Sequence, residues 1–427
     1  MLAQLVQSAC FTRMRSLVRI QYVPQALVKA GASSFWMGAA AHLRTVSLRP
    51  YRTFLIVASV FIALMFTLEH INGRFWLSDF KVYWGAADAL LTGQPVYGVP
   101  FGESTGFYKY SPFVALLFTP LAALHFEVAS IIWFVFIAVA LVAALLELNR
   151  ILLEWRIEPR LSDNVLLCFA LLCIGNHVVR ELHLGNINLP VLLLATLAFR
   201  WRAAKPLAAG ALLALLFMVK PYLGLLWVPL VVQGRWSVVR AGVAAGIGMM
   251  AVPLILGAAH GIELHRQWLA SMSAHGDYLT SGNTIASILS RMVGVPDGAG
   301  LQLGIIGFTL LVFGAVAWRW RQEGSVARHY LLHFCALALI PNLVITDTQH
   351  FLLALPLFMF VLYQIRTIQW PMRVAFVLVV LAHGANSSDL LGHDLSDRVN
   401  TWGVLGAANV ALVIMALALP GSQPKGT

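Results

Sequence analysis

Apolar runs free of charge recur so densely along these 427 residues that only a lipid bilayer can take most of them. They fall at about 53–70, 128–149, 163–178, 187–200, 206–218, 222–234, 240–258, 302–318, 329–343, 351–366, 373–386 and 401–419. Composition agrees, since 59% of the chain is hydrophobic and 11% charged, where soluble chains carry about 25% charged residues. Several runs fall short of the roughly 20 residues that a perpendicular helix needs, so tilted or broken helices are expected. The sequence therefore predicts an all-α, polytopic integral membrane protein with about 12 transmembrane helices.

The basic residues orient these spans. Clusters at Arg150/Arg156/Arg160, Arg200/Arg202/Lys205, Arg235/Arg240, Arg319/Arg321/Arg328 and Arg366/Arg373, with Lys425 near the end, occupy every second connection. The positive-inside rule places those connections in the cytoplasm. On that assignment eight of the 29 Lys and Arg, but thirteen of the 18 acids, lie outside. Merging 206–234 into one kinked helix breaks the alternation, so two spans are kept there. The segment "YSPFVALLFTPLAAL" (110–124) is short and proline-marked, and reads as re-entrant or interfacial on the outer side. The net charge of +11 belongs to cytoplasmic loops, and no nucleic-acid partner is expected. Cys10, Cys168, Cys173 and Cys335 sit in apolar surroundings without metal-ligand spacing, so neither a disulfide framework nor a zinc site is expected.

Residues 1–50 form a basic N-terminal segment, 51–420 a single membrane domain, and 421–427 a short cytoplasmic tail. Within the first segment, Val18-Arg19-Ile20 back-translates to a transfer-RNA T-loop, and Ala3-Gln4-Leu5-Val6 to a D-loop. Residues 1 to about 24 are accordingly expected to be a mis-assigned start, with the native one further on, at Met37 for example.

The outer side collects the chemistry-bearing residues. Its first long loop, about 71–127, contains "SDFKVYWGAADALLTGQPVYG", an amphipathic stretch with Ser78 as candidate N-cap and a stop at Gly93 and Pro95. Asp79 then lies in a first helical turn, where the dipole favours its ionised form. It is either a dipole partner only or a general base. Lys220, followed by Pro221, stands between two apolar runs; it either snorkels or offers a point charge for a phosphate at a broken helix. His350 begins another span beside Asp347 and Gln349. The loop "RELHLGNINLP" offers Arg180, His183, Asn186 and Asn188, donors suited to an anion or to sugar hydroxyls. Asn283 and Arg291 lie on a short helix in the second long outer loop.

No GxxxxGK[ST], no GxGxxG after a strand and no Asp-x-Asp pair occurs, so a nucleotide-sugar donor is not expected. HExxH is absent as well, as is a GxSxG nucleophile elbow. The tract "AGVAAGIGMM" (241–250) suits close helix packing. A lipid or solute transporter or flippase is the alternative, since carriers also use many spans and a lysine at the membrane edge. Such proteins commonly show an internal repeat, which this chain lacks.

In order and spacing, these motifs resemble glycosyltransferase family 87, the polyprenol-phosphate-mannose-dependent mannosyltransferases of the GT-C fold. The resemblance runs over about 50–420, through "SDFKVYWGAADALLTGQPVYG", "YKYSPFVALLFTPLAAL", "LGNINLPVLLLATLAFR", "LLFMVKPYLGLLWVPLVVQGRW", "GNTIASILSRM" and "DTQHFLLALPLF". Where the family tends to write Gly-Gln-x-Asn this chain has Gly185-Asn186-Ile187-Asn188, and it has Tyr110-Ser111-Pro112 for Tyr-Pro-Pro. The resemblance implies a hexose, mannose in the family's usual case, moving from a polyprenyl-phosphate sugar to a hydroxyl of a glycolipid or glycan. Transfer would invert, need no metal or other cofactor, and occur on the extracytoplasmic side of a multi-pass bacterial plasma-membrane protein surrounded by membrane lipids. Asp79 would be the base. Lys220 and His350, supported by Arg180 and Arg291, would hold the donor phosphate. Trp76, Tyr83 and Tyr110 would pack on sugar rings, with His183, Asn186, Asn188 and Asn283 binding sugar or acceptor.

Overall fold

A computed structural model of the chain describes residues 48–73, 75, 77–102, 106–154, 161–273, 282–323, 326–384 and 388–419. The expected false start, Trp76, Arg156, Arg160 and the tail at 421–427 lie outside the described residues. Among the described residues every regular element is a helix, with one isolated β-bridge between Pro100 and Phe107. In chain order they are α1 (Arg52–Ile71), α2 (Ser78–Thr92), α3 (Pro112–Ala122), α4 (Phe126–Glu154), α5 (Asp163–Cys173) and α6 (Gly175–Leu184). Next come α7 (Asn188–Trp201), α8 (Pro206–Val219), α9 (Val228–Val232), α10 (Trp236–Ala251), α11 (Ala258–Ser273) and α12 (Ile285–Val293). The rest are α13 (Ala299–Glu323), α14 (Val326–Leu343), α15 (Leu355–Tyr363), α16 (Trp370–Gly384), α17 (Ser388–Leu391), α18 (His393–Trp402) and α19 (Val404–Ala418).

Among the described residues four helices are long and apolar enough to cross a bilayer: α1 with its leading turn, α4, α10 with the turn that follows it, and α13. The number rises to six if the pairs α5/α6, bent by 67°, and α18/α19, bent by 50°, each make one span. On α13 the side chains of Leu303, Phe308 and Leu311 are 68%, 69% and 75% exposed, which only lipid makes tolerable along a whole helix. The chain is a membrane protein. The expected spans at 187–200, 206–218, 222–234, 351–366 and 373–386 appear as apolar helices of 10–17 residues. Segment 110–124 contains the eleven-residue α3.

The short helices have a physical cause. α6 ends at Gly185 in the left-handed region, α8 ends where Lys220 turns extended before Pro221, and α14 gives way to a 3-10 turn, Thr348–Ala354. Backbone groups freed at a break inside a membrane protein are tolerated where they line a cavity. All three breaks meet at one end of the fold. The turn at Thr348–Ala354 leads into α15, every residue of which is buried, so His350 is mounted on a fully buried helix. Small residues allow α8 and α10 to approach closely in the first half of α8: a Cβ on Gly210 would lie 2.5 Å from the Gly242 nitrogen.

The opposite end gathers the arginines. Arg200 pairs with Glu147 and, at 3.2 Å, with Glu154; Arg202 stacks 3.7 Å over the Tyr330 ring; Arg321 donates to the Val232 carbonyl at 3.2 Å. Connections that the sequence groups on one side thus touch one another, well apart from the breaks.

Candidate functional site

The site begins with the first turn of α2. Its hydrogen bonding starts at Ser78, but Leu77 holds the N-cap position with φ 40°, ψ 57°, and no side chain caps the helix. The expectation of Ser78 as cap is therefore corrected. A buried leucine in the left-handed region is strained by about 1–2 kcal/mol and occurs where the surroundings dictate the backbone. The next-but-one residue is Asp79.

Gly185 explains how the second element reaches it. At φ 68° it closes α6, and a Cβ there would stand 2.9 Å from the Leu77 Cβ and 3.1 Å from the Phe80 Cβ. Trp133 Nε1 donates to its carbonyl at 2.7 Å. The following residue, Asn186, is thereby delivered to Asp79, its Nδ2 donating to Oδ2 at 2.6 Å. Its Oδ1 accepts from the Ile187 N–H at 2.6 Å and from the Tyr83 hydroxyl at 3.4 Å, which fixes the amide's orientation. Tyr83 and Tyr110 share a hydrogen bond of 3.0 Å between their hydroxyls. Burial holds both phenols neutral, well above their ordinary range.

Lys220 opens the second half. It is 6% exposed; its Nζ donates to Asn188 Oδ1 at 2.6 Å and lies 2.6 Å from His350 Nε2. The Tyr222 hydroxyl approaches the same Nε2 at 2.8 Å, while Nδ1 lies 3.1 Å from the Asp347 carbonyl. An ammonium and a phenol both donate, and a carbonyl only accepts. The Asp347 carbonyl therefore calls for a proton on His350 Nδ1, which leaves Nε2 one lone pair to accept from Lys220 or Tyr222, and the ring helps to aim Lys220. Behind Asn188 stands Glu181, fully buried on α6, whose Oε1 accepts from Asn188 Nδ2 at 2.6 Å and whose Oε2 accepts from its N–H at 3.1 Å.

Burial raises the Asp79 carboxyl above the usual carboxylate range. The Asn186 hydrogen bond opposes this, Asp347 adds to it, and the charges of Lys220 and Arg180 lower it. Lys220 is pulled below the ordinary lysine range by burial, with the carboxylates of Glu181, Asp347 and Asp79 restraining the fall. Burial likewise lowers Lys109 against Asp347 and Asp79.

These groups face one cavity of about 500 Å³, lined by Asp79, Tyr83, Tyr110, Asn186, Lys220 and His350 among others. That volume suits a small ligand, and the walls mix a carboxyl, an ammonium and aromatic rings. Arg180, Asn283 and Arg291, expected alongside them, line a second cavity of about 660 Å³. Ile345, Thr346 and Asp347 line both cavities, so the two lie back to back across one short segment. Asn283 is 2% exposed and bound into the scaffold, its Oδ1 accepting from the Gly406 N–H at 3.1 Å and its carbonyl from Asn342 at 3.2 Å. His183 lines neither cavity; its Nδ1 pairs with Glu69 Oε2 on α1 at 2.8 Å. Asn188 reaches the first cavity only through Lys220.

Glu181 and Tyr222 escaped the sequence reading. An acid embedded between valines and leucines was the available signal for Glu181, because ionisable groups at such depth are rare and partnered. Tyr222 follows Lys220 by two residues, a spacing without meaning until the 3-10 turn wraps both towards His350.

Comparison with known proteins points the same way. A relative from Mycolicibacterium smegmatis, a polyprenol-phosphate-mannose-dependent alpha-(1-2)-phosphatidylinositol pentamannoside mannosyltransferase, is 28% identical over 326 residues, covering 72% of this chain and 75% of that protein. An alpha-(1->3)-arabinofuranosyltransferase of Mycobacterium tuberculosis is 30% identical over 261 residues, 58% of this chain and 56% of that protein. The family profile spans residues 107–346, which takes in Tyr110, Arg180, Asn186, Lys220 and Arg291 but neither Asp79 nor His350. The geometry is what joins those two to the matched core. With an all-helical membrane fold and a profile match over more than half its length, the chain belongs to glycosyltransferase family 87.

Proposed function

We propose that this membrane glycosyltransferase moves a hexose, mannose in the first reading, from a polyprenyl-phosphate sugar to a hydroxyl of a glycolipid or glycan. The reading includes the GT-C architecture of about 12 spans and a site on the extracytoplasmic face of a bacterial plasma membrane. Its main support is that Asp79 and the Lys220–His350 pair face the same cavity. The sided distribution of arginines supports the topology, and the names of the two mycobacterial relatives support a transferred mannose or pentose.

Asp79, deprotonated, takes the proton of the acceptor hydroxyl as its oxygen attacks the anomeric carbon. The bond from that carbon to the phosphate oxygen breaks on the opposite face, which inverts the configuration. The leaving polyprenyl phosphate remains anionic, so it needs charge and hydrogen bonds rather than a strong acid. Lys220 supplies the charge, aimed by His350 and Asn188. Tyr83 and Tyr110 offer ring faces and hydroxyls to the sugar. The test is Asp79→Asn in membranes supplied with radiolabelled polyprenyl-phosphate mannose. Transfer falls by about 10²–10⁴-fold at unchanged expression if Asp79 is the base; wild-type transfer by the variant removes it from that role.

A further inference from the structure

The second cavity and the apolar groove beyond it have no part in the chemistry just described. Thr346, 4% exposed, lines both cavities, and its hydroxyl has no hydrogen-bond partner among the described residues. The rest of the second cavity's lining is rich in hydrogen-bonding groups of both signs, including Arg180, Arg291, Asp397 and Asn400. Arg180 acts electrostatically on Asp79, as Lys220 does from the first cavity. The carboxyl of Asp79 therefore lies within reach of positive charge from both sides.

Arg291 lines a third hollow as well, of about 810 Å³, formed by α12, α16 and α19 and lined by apolar groups such as Ile288, Leu378, Val379 and Ala411. Arg291 thus stands at the boundary between the polar chamber and the apolar groove. In a phosphoglycolipid the order is the same: sugar hydroxyls, then a phosphodiester, then hydrocarbon chains. Among these groups Arg291 stands at the position of the phosphodiester. Its Nη2 donates to the Gly282 carbonyl at 2.5 Å, which fixes the guanidinium at that junction.

We infer that the second cavity is the acceptor site and takes an anionic glycolipid, its sugars in the chamber of Arg180, Asp397 and Asn400, its phosphodiester at Arg291 and its chains in the groove of α12, α16 and α19. This rests on the transferase reading above and deepens it, with Arg180 and Arg291 serving the acceptor rather than the donor. The two substrates then approach Asp79 from opposite sides of residues 345–347.

Membranes of a strain lacking the gene, complemented with wild-type or variant protein and supplied with radiolabelled polyprenyl-phosphate mannose, test it. The labelled product is expected to enter organic solvent and to be retained on an anion exchanger. Arg291→Gln and Asn400→Ala are each expected to raise the KM for added acceptor extract about tenfold, with the donor KM within twofold of wild type. An unchanged donor KM also shows that the variant is folded. A labelled product that is neutral or water-soluble overturns the inference while leaving the transferase reading standing. A donor KM that rises in place of the acceptor KM overturns it too, and gives the groove to the polyprenyl chain. Absence of any labelled product from wild type removes the transferase reading, and the inference falls with it.

Discussion

The hydrogen bond from Asn186 to Asp79 is the contact by which the site's proton chemistry can be measured. At 2.6 Å to a carboxylate it is charge-assisted, and such bonds contribute roughly 1.5–3 kcal/mol. It stabilises the ionised carboxyl and so opposes the dominant effect of burial. In Asn186→Ala burial remains and the opposing contact is gone. The carboxyl then holds its proton to higher pH by an amount equivalent to about one to two pH units, since one unit corresponds to about 1.4 kcal/mol. Water entering the vacated space recovers part of this, so about one unit is expected. A base must be deprotonated to work, so kcat/KM falls as pH drops through its titration. In the wild type that acid limb lies above the ordinary carboxylate range. In Asn186→Ala it moves up by about one unit, leaving a maximum within tenfold of wild type before the rate falls again as Lys220 loses its proton near pH 8. The assay is the initial rate of mannosyl transfer from labelled lipid donor between pH 4.5 and 9, in buffers of matched ionic strength. An acid limb that stays in place, whatever the maximum does, refutes the assignment of that limb to Asp79; a limb that moves down refutes the sign.

Three further changes probe the supports. Gly185→Ala must place a methyl group 2.9 Å from Leu77 Cβ at a positive φ, so it should lower the detergent melting temperature and abolish transfer; wild-type melting and activity would show that the backbone there yields. Glu181→Ala leaves the buried Asn188 N–H and Nδ2 without their acceptor and should cost about 2–4 kcal/mol, read as a lower thermal midpoint by fluorescence-detected size exclusion; an unchanged midpoint would show that the two donors find other partners. Lys220→Ala should raise the donor KM by tenfold or more and leave the acceptor KM unchanged, measured in the same membranes; an unchanged donor KM takes the phosphate away from Lys220.

Much of this was legible in the sequence, for identifiable reasons. Polar side chains stranded at the ends of apolar runs are expensive unless they meet one another, and Asp79, Asn186, Lys220 and His350 do meet. Alternation of arginine clusters grouped the connections that the fold brings into contact. The division of the site into two cavities was not legible, because a loop assignment places Arg180 and Arg291 on the outer face without saying on which side of residues 345–347 they stand. Helix lengths were harder to read: the apolar runs on either side of Gly185, Lys220-Pro221 and Asp347 stand apart in the sequence, but only a fold shows how short the helices between these breaks become. The cap at Ser78 failed because packing of Leu77 against Gly185 dictates the backbone ahead of α2 more strongly than a serine's local preference does. Where the family tends to have glutamine this chain has Asn186, and its shorter arm already spans the gap to Asp79. A glutamine there would have to fold back by one methylene.

Ile345, Thr346 and Asp347 each face both cavities, so a single stretch of chain stands between them. On the reading proposed above, that thin divider stands between the lipid-linked donor and the polar chamber next door. Opening it by Ile345→Gly would then admit water to the anomeric carbon, and the donor would be lost by hydrolysis, releasing free sugar. Fidelity in such a catalyst depends on a divider that lets an acceptor hydroxyl past while holding water back, as much as on the residue that removes the proton.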